Sequence, residues 1–193
     1  MKIRSTVFLF VACALAASVA WADATPEECA ASTEKFRNLS ANVAEMIATS
    51  YGYAVLPTIG KGGLGIGGAG GSGCVYAGGT QTGTVKMGQV TIGFQAGGQA
   101  FSQIILFKDK ATFDKFTSGE FEFGAQATAV ALTAGVQAEA GTKGASSGVS
   151  ANSEKSRGKS GNYTNGMAVY TVAKGGLMYE ASIGGQKFGY EAL

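Results

Sequence analysis

Thirty-one of the 193 residues are glycine, about twice the usual share, and only two are proline. The glycines follow no collagen-like period and are not gathered into one linker. They sit inside apolar runs, where glycine lets a sheet curl or two backbones approach closely. With 46% hydrophobic and 15% charged residues, the chain is neither disordered nor an extended coiled coil. Its length suits one domain able to bury a full core. The pattern predicts an α+β fold: a strongly twisted, mainly antiparallel sheet, or a partly closed barrel, of glycine-rich strands.

The chain has no histidine, which removes Ser-His and Cys-His catalysis and zinc-histidine sites at once. Residues 1–22 read as a secretory signal peptide. Lys2 and Arg4 give a positive start, Val7 to Val19 is apolar apart from Ser18, and Ala20-Trp21-Ala22 offers small residues for cleavage after Ala22. The apolar run is short for a membrane span. The competing reading is a lipobox, Phe10-Val11-Ala12-Cys13, which would anchor a lipoprotein through Cys13. Either way the expected location is the periplasm or beyond, with residues 23–193 as one domain.

Without Lys2 and Arg4 the basic residues number thirteen, equal to the acidic ones. No global charge argues for nucleic acid. The acids crowd the start, with Asp23, Glu27, Glu28, Glu34 and Glu45 set against Lys35 and Arg37. Two cysteines remain after the leader, Cys29 and Cys74, which in an oxidising envelope are a candidate disulfide. Two buried free thiols are the other reading.

Thr25-Pro26-Glu27-Glu28 has the T-x-x-E form of a capping box with proline at the first helical position. Phe36, Leu39, Val43, Met46 and Ile47 follow at helical spacing. The spacing predicts one amphipathic N-terminal helix over roughly 26–50, with Gly52 as its C-terminal cap. Its apolar face meets either the domain core or lipid. Val90, Ile92 and Phe94 alternate with Gln89, Thr91, Gly93 and Gln95, a half-buried strand. Gly97-Gly98 is expected to turn the chain so that Phe101 to Phe107 returns as a hairpin partner. A short helix near 109–117 starts at the N-cap Asp109 and ends before Gly119. Ala125 to Ala140 reads as a long strand of small residues. Residues 141–166 read as a flexible loop in which Lys143, Lys155, Arg157 and Lys159 outweigh Glu154. That loop is either solvated or in touch with anionic headgroups.

An internal echo runs Ala54 to Leu64 then Ile66-Gly67-Gly68, and again Ala168 to Leu177 then Ile183-Gly184-Gly185. Both copies contain Lys-Gly-Gly-Leu, at Lys61 and Lys174. The reading is two similar hairpins with the lysines in equivalent tight turns.

Familiar catalytic and nucleotide signatures fail. Gly65-Ile66-Gly67-Gly68-Ala69-Gly70 fits G-x-G-x-x-G but leads into a strand, Cys74-Val75-Tyr76, and not a helix. Gly158-Lys159-Ser160 lacks the first glycine of a phosphate loop. Two S-x-x-K matches, at Ser32 and Ser156, have no Lys-Thr-Gly partner. Glu120 and Glu122 alternate with Phe121 and Phe123 as in an ordinary half-exposed strand. No metal set, cofactor, nucleotide or nucleic acid is expected, and an enzyme is not.

Several of these segments together resemble the SYLF domain, also known as the Ysc-type actin-binding domain. They are Tyr51-Gly52-Tyr53-Ala54-Val55-Leu56-Pro57, Lys61 to Gly68, Thr91 to Ser102, Phe107-Lys108-Asp109-Lys110, Phe116 to Gly119, Ala173 to Ala181 and Gly184 to Phe188. The likeness covers about residues 26–193. It implies a lipid-binding domain: eukaryotic relatives bind phosphoinositide-containing membranes, yeast members also bind and bundle actin, and bacterial relatives are exported. In the family, lipid binding involves the N-terminal amphipathic helix and basic residues. The matching candidates here are Lys35, Phe36 and Arg37, with Lys61 and Lys174 in the Lys-Gly-Gly motifs; Lys155, Arg157 and Lys159 come from the loop. The implied partner is a lipid or anionic membrane surface. The alternative is a structural or interaction protein of the periplasm holding an envelope protein.

Overall fold

The computed structural model describes residues 23–123 and 163–193. The side chains of 94, 95 and 176–184 fall outside that description, as do the leader, Cys13, the predicted strand at 125–140, and Lys155, Arg157 and Lys159. Among the described residues the order is α1 (Pro26–Arg37), α2 (Ala41–Thr49), β1 (Gly52–Ala77), β2 (Thr80–Phe107), α3 (Lys110–Thr117), β3 (Glu120–Phe123) and β4 (Met167–Ala192). Among the described residues the strands form one antiparallel sheet in the order β1-β2-β4-β3, which is not closed. The α+β expectation stands, in its open-sheet form.

The N-terminal helix is two helices. The capping box forms as read: the Glu28 N–H donates to Thr25 Oγ1 at 3.2 Å and the Thr25 N–H to Glu28 Oε2 at 2.9 Å. The chain then breaks at Asn38-Leu39, because Ser40 caps a second helix by accepting from the Val43 N–H at 3.2 Å. That helix closes on Ser50, and Gly52 opens β1. Asp109 caps α3 as expected, accepting from the Thr112 N–H at 2.9 Å.

Glycine marks a bend, and not the predicted turn, within the long strands. Gly97-Gly98 lie inside β2, paired with Gly63 and Gly62 on one side and Met178 and Leu177 on the other. The β1–β2 turn is instead Gly78-Gly79, at φ 57° and 82°, a left-handed pair suited to a two-residue hairpin. A straight strand would carry Gly73 ~60 Å from Val55. Yet Gly73 lies against the Val55 backbone, and a Cβ at Gly71 would stand 2.5 Å from the Thr58 carbonyl oxygen. The strands therefore double back, and the sheet curls around its own inner face. Four register shifts ease the curl, among them those at Pro57-Thr58 in β1 and at Lys174 in β4.

The echo finds its meaning here. Lys61 and Lys174 occupy strands and not turns. β1 and β4 flank β2 from either side, and Ile66-Gly67-Gly68 and Ile183-Gly184-Gly185 pair with the same residues, Ile92, Thr91 and Val90. The two copies are parallel neighbours across one shared strand.

Each face of the base of the sheet is covered. On the inner face Ala54, Leu56, Ile105 and Phe107 meet α3 through a cluster of phenyl rings, with Phe116 4.8 Å from Phe107 and 5.4 Å from Phe188. Such pairs add about 0.5–1.5 kcal/mol each beyond area burial. On the outer face Val55, Ile104, Leu106 and Tyr170 pack under α1 and α2 through Phe36, Val43, Met46 and Ile47. Cys29 and Cys74 are joined, with Cα atoms 6.1 Å apart, tying α1 to β1. Closing a loop of that span stabilises by about 3–4 kcal/mol.

Candidate functional site

The helix predicted to meet lipid has its apolar face against the sheet. Phe36 is 1% exposed, and the disulfide fixes the helix that carries it. Lys35 and Arg37 point outward, and Arg37 is engaged by Glu34 at 2.7 Å. Beneath Arg37 is a small groove lined by Ala30, Thr33, Tyr53 and Tyr76. Tyr53 and Tyr76 stack with ring centroids 4.9 Å apart, and burial raises both phenol pKa values above the ordinary one.

Lys61 and Lys174 lie away from that helix, on the two strands that flank β2. Lys61 lies eight residues along β1 from Tyr53, or ~26 Å of strand, and its side chain is buried. Lys174 sits at the β4 bulge and reaches across β2, donating from Nζ to Thr58 Oγ1 at 2.7 Å. The structure thus separates the predicted basic candidates into two places. Lys155, Arg157 and Lys159 lie outside the described residues.

The bend carries a feature the sequence reading inverted. Val90 and Ile92 were expected inside and Gln89 and Thr91 outside. Val90 and Ile92 are 66% and 68% exposed, while Gln89 and Thr91 are 6% and 1% exposed. From Val85 to Ile92 the inward positions are Val85, Met87, Gln89 and Thr91, the outward ones Lys86, Gly88, Val90 and Ile92. Across the pair, Ile66 faces Ile92 and is 68% exposed, and Leu64 is 83% exposed. These four aliphatic side chains form a ridge on the outer surface of the bend.

The buried polar residues explain why the register holds. Gln186 donates from Nε2 to Gln89 Oε1 at 3.4 Å and lies within 3.5 Å of the Gln103 amide, which in turn donates to Gln186 Oε1 at 3.3 Å. Ser102 Oγ donates to the Pro57 carbonyl at 2.7 Å. Slipping β2 by one residue would bury the ridge but strand these amides outside their network. Period-two alternation was legible from sequence. Its direction was not, because isoleucine and valine are read as core residues unless the partners of the glutamines are known.

A second open groove borders the ridge, about 430 Å³ in volume, lined by Asp23, Gly68 to Ser72 and Lys86 to Gly88. Asp23 and Lys86 pair across it at 3.1 Å, both two-thirds exposed. Among the described residues no set of three His, Cys, Asp or Glu side chains is placed to hold a metal. No described helix is long and apolar enough to cross a membrane.

A family model described as Las17-binding protein actin regulator, Ysc84, matches residues 88–190, a little over half of the chain. The chain is also similar to Beta cell expansion factor A of Aeromonas veronii, at 30% identity over 92 residues, 48% of this chain. That match takes in 27% of the relative, so the chain spans only about a quarter of its length. No solved structure matches.

Proposed function

The chain belongs to the Ysc84 family, whose domain is the SYLF domain, and from that premise we propose that it is a non-catalytic module engaging anionic lipid headgroups at a membrane surface of the bacterial envelope. Membership makes it a lipid- or actin-related binding domain. The observation that carries the choice between those two is the Cys29–Cys74 bridge. Such bridges persist in oxidising compartments, where an actin cytoskeleton has no place and lipid surfaces do. The leader-like residues 1–22 support the same location, the periplasm or beyond. Lipid anchorage through Cys13 is the variant of that proposal in which the leader is cleaved before Cys13 and not after Ala22.

The test is co-sedimentation of the protein with vesicles of phosphatidylglycerol and cardiolipin against vesicles of phosphatidylcholine, at low and high salt. Binding to the anionic series that weakens with salt supports headgroup attraction. Absence of binding to both series overturns the lipid reading and leaves capture of an envelope protein as the function to pursue.

A further inference from the structure

We propose that the ridge on the outer face of the bend, Leu64, Ile66, Val90 and Ile92, is the surface that seats in an anionic lipid bilayer. This rests on the lipid reading above and moves its site away from the N-terminal helix, whose apolar face is already occupied.

Two independent observations select lipid as the occupant. The first is the direction of the alternation. A strand in water turns its aliphatic side chains inward; a strand facing acyl chains turns them outward and its polar ones inward. Over the stretch Gln89 to Ile92, β2 has the second pattern, with satisfied glutamines inside and isoleucine and valine outside. The glutamine network holds that direction against a slip of register. The second is charge. Between Glu45 and Asp109 the sequence contains no acidic residue, while it contains Lys61, Lys86 and Lys108. The whole β1–β2 hairpin therefore carries no acidic side chain for an anionic headgroup layer to repel. Lys61 is buried and Lys108 follows the far end of β2, so the lysine placed to add attraction is Lys86, outward-facing like Val90 and Ile92. Asp23 offsets Lys86 on one flank of the ridge only.

The ridge is short, which sets the depth. Ile66 and Ile92 are cross-strand neighbours, with Leu64 two residues before one and Val90 two before the other. Because the strands are antiparallel, Val90 and Leu64 lie on either side of that pair, so the ridge reaches no more than ~13 Å along the sheet, against a hydrocarbon core of ~30 Å. The ridge enters the headgroup and upper acyl region without spanning.

The experiment compares the wild-type chain with the double variant Ile66→Ser/Ile92→Ser in vesicle co-sedimentation. Melting temperature and the intact Cys29–Cys74 bridge serve as checks on the fold. Both positions are exposed, so the variant is expected to fold as the parent does. The expected result is a loss of about tenfold or more in partition to anionic vesicles. A second readout is Ile66→Trp in a Trp21→Phe chain, whose emission should shift to shorter wavelength on anionic vesicles and be quenched by lipids brominated high on the acyl chain. Equal partition of parent and double variant overturns the ridge while leaving lipid binding standing. No partition of the parent overturns both readings. A variant that loses self-association in vesicle-free sedimentation, with vesicle partition unchanged, makes the ridge a contact between copies and overturns the proposal. An Ile66→Trp emission that does not shift while the protein sediments with vesicles overturns it as well.

Discussion

At the base of the sheet Gly71 and Gly73 are there because nothing larger fits: the returning arm of β1 lies on Thr58 and Val55, and a Cβ at either position would run into backbone. One pair along from Gly71, on the outer face, Gly88 faces open space, with no atom within 4 Å of where a Cβ would stand. The same contrast holds for aliphatic side chains. Leu56 and Ile105 at the base have no exposed surface, whereas Ile66 and Ile92 at the bend are two-thirds exposed. A single pair of strands thus runs from a region governed by packing to one governed by what lies outside the molecule. The base is closed by α1 and α2 on one face and α3 on the other; the ridge has no described element over it. Residue type alone does not separate the two regions, since both are rich in glycine and β-branched residues.

The sharpest break in that comparison is Gly73→Val. Its side chain would meet the Val55 carbonyl and the Leu56 backbone, which are held in the ladder with β2 and cannot yield as a flexible side chain would. We expect the variant to lose the cooperative thermal transition of the parent. A normal melt would mean that the two arms of β1 do not touch.

The disulfide tests the same base from the helix side. The double variant Cys29→Ser/Cys74→Ser should lose about 3–4 kcal/mol in denaturant unfolding, as should the parent under reducing conditions. Because Phe36, Val43, Met46 and Ile47 still hold α1 and α2 to the sheet, the folded state should persist at reduced stability. An unchanged midpoint on reduction would show that helix packing alone fixes α1.

How much of this was legible depended on the range of the interaction. Thr25 with Glu28, and Asp109 with Thr112, are three residues apart, and both caps form as the sequence reads. Cys29 and Cys74 were legible as a candidate pair but not as a bond, because the approach of α1 to β1 depends on the whole outer face. Gly97-Gly98 was misread as a turn. Glycine pairs mark both turns and bends, and only pairing with Gly62 and Gly63 distinguishes them. The single helix at 26–50 failed for a local reason, since Ser40 is a better helix start than a helix interior. Among the site candidates, Lys61 and Lys174 read as equivalent through the echo, but Lys61 pairs with Gln99 and is buried, whereas Lys174 stands exposed at the bulge beside Ala100 and Phe101. The ridge was missed because its direction is set by Gln186, nearly a hundred residues from Gln89.

A smaller effect is expected at α3, where Asp109 accepts from the Thr112 N–H and from Thr112 Oγ1 at 2.8 Å. Those hydrogen bonds hold its carboxyl below the ordinary value of 3.8. A carboxylate with a depressed folded pKa stabilises above its unfolded value, and the contribution fades as pH falls through the folded one. The melting difference between Asp109→Ala and the parent should therefore be full near pH ~6 and shrink toward pH ~2. A difference that stays constant across that range would mean that the Asp109 charge plays no part in the cap.

The mildest change tests the outer face beside the ridge. Gly88 pairs with Gly70 and Lys187, faces outward and does not have a positive φ. Nothing in the folded state demands glycine there, so Gly88→Ala should shift stability by no more than about 0.5 kcal/mol in thermal melts. The sign should be toward stabilisation, because alanine restricts the unfolded chain while fitting the strand. A loss well beyond that size would mean that this outer face is packed against part of the molecule. The four aliphatic residues beside Gly88 would then belong to a core, like Leu56 and Ile105. A neutral or stabilising result keeps the two regions distinct: Gly73 is fixed by what it touches inside, and the surface around Gly88 is left free to meet something outside.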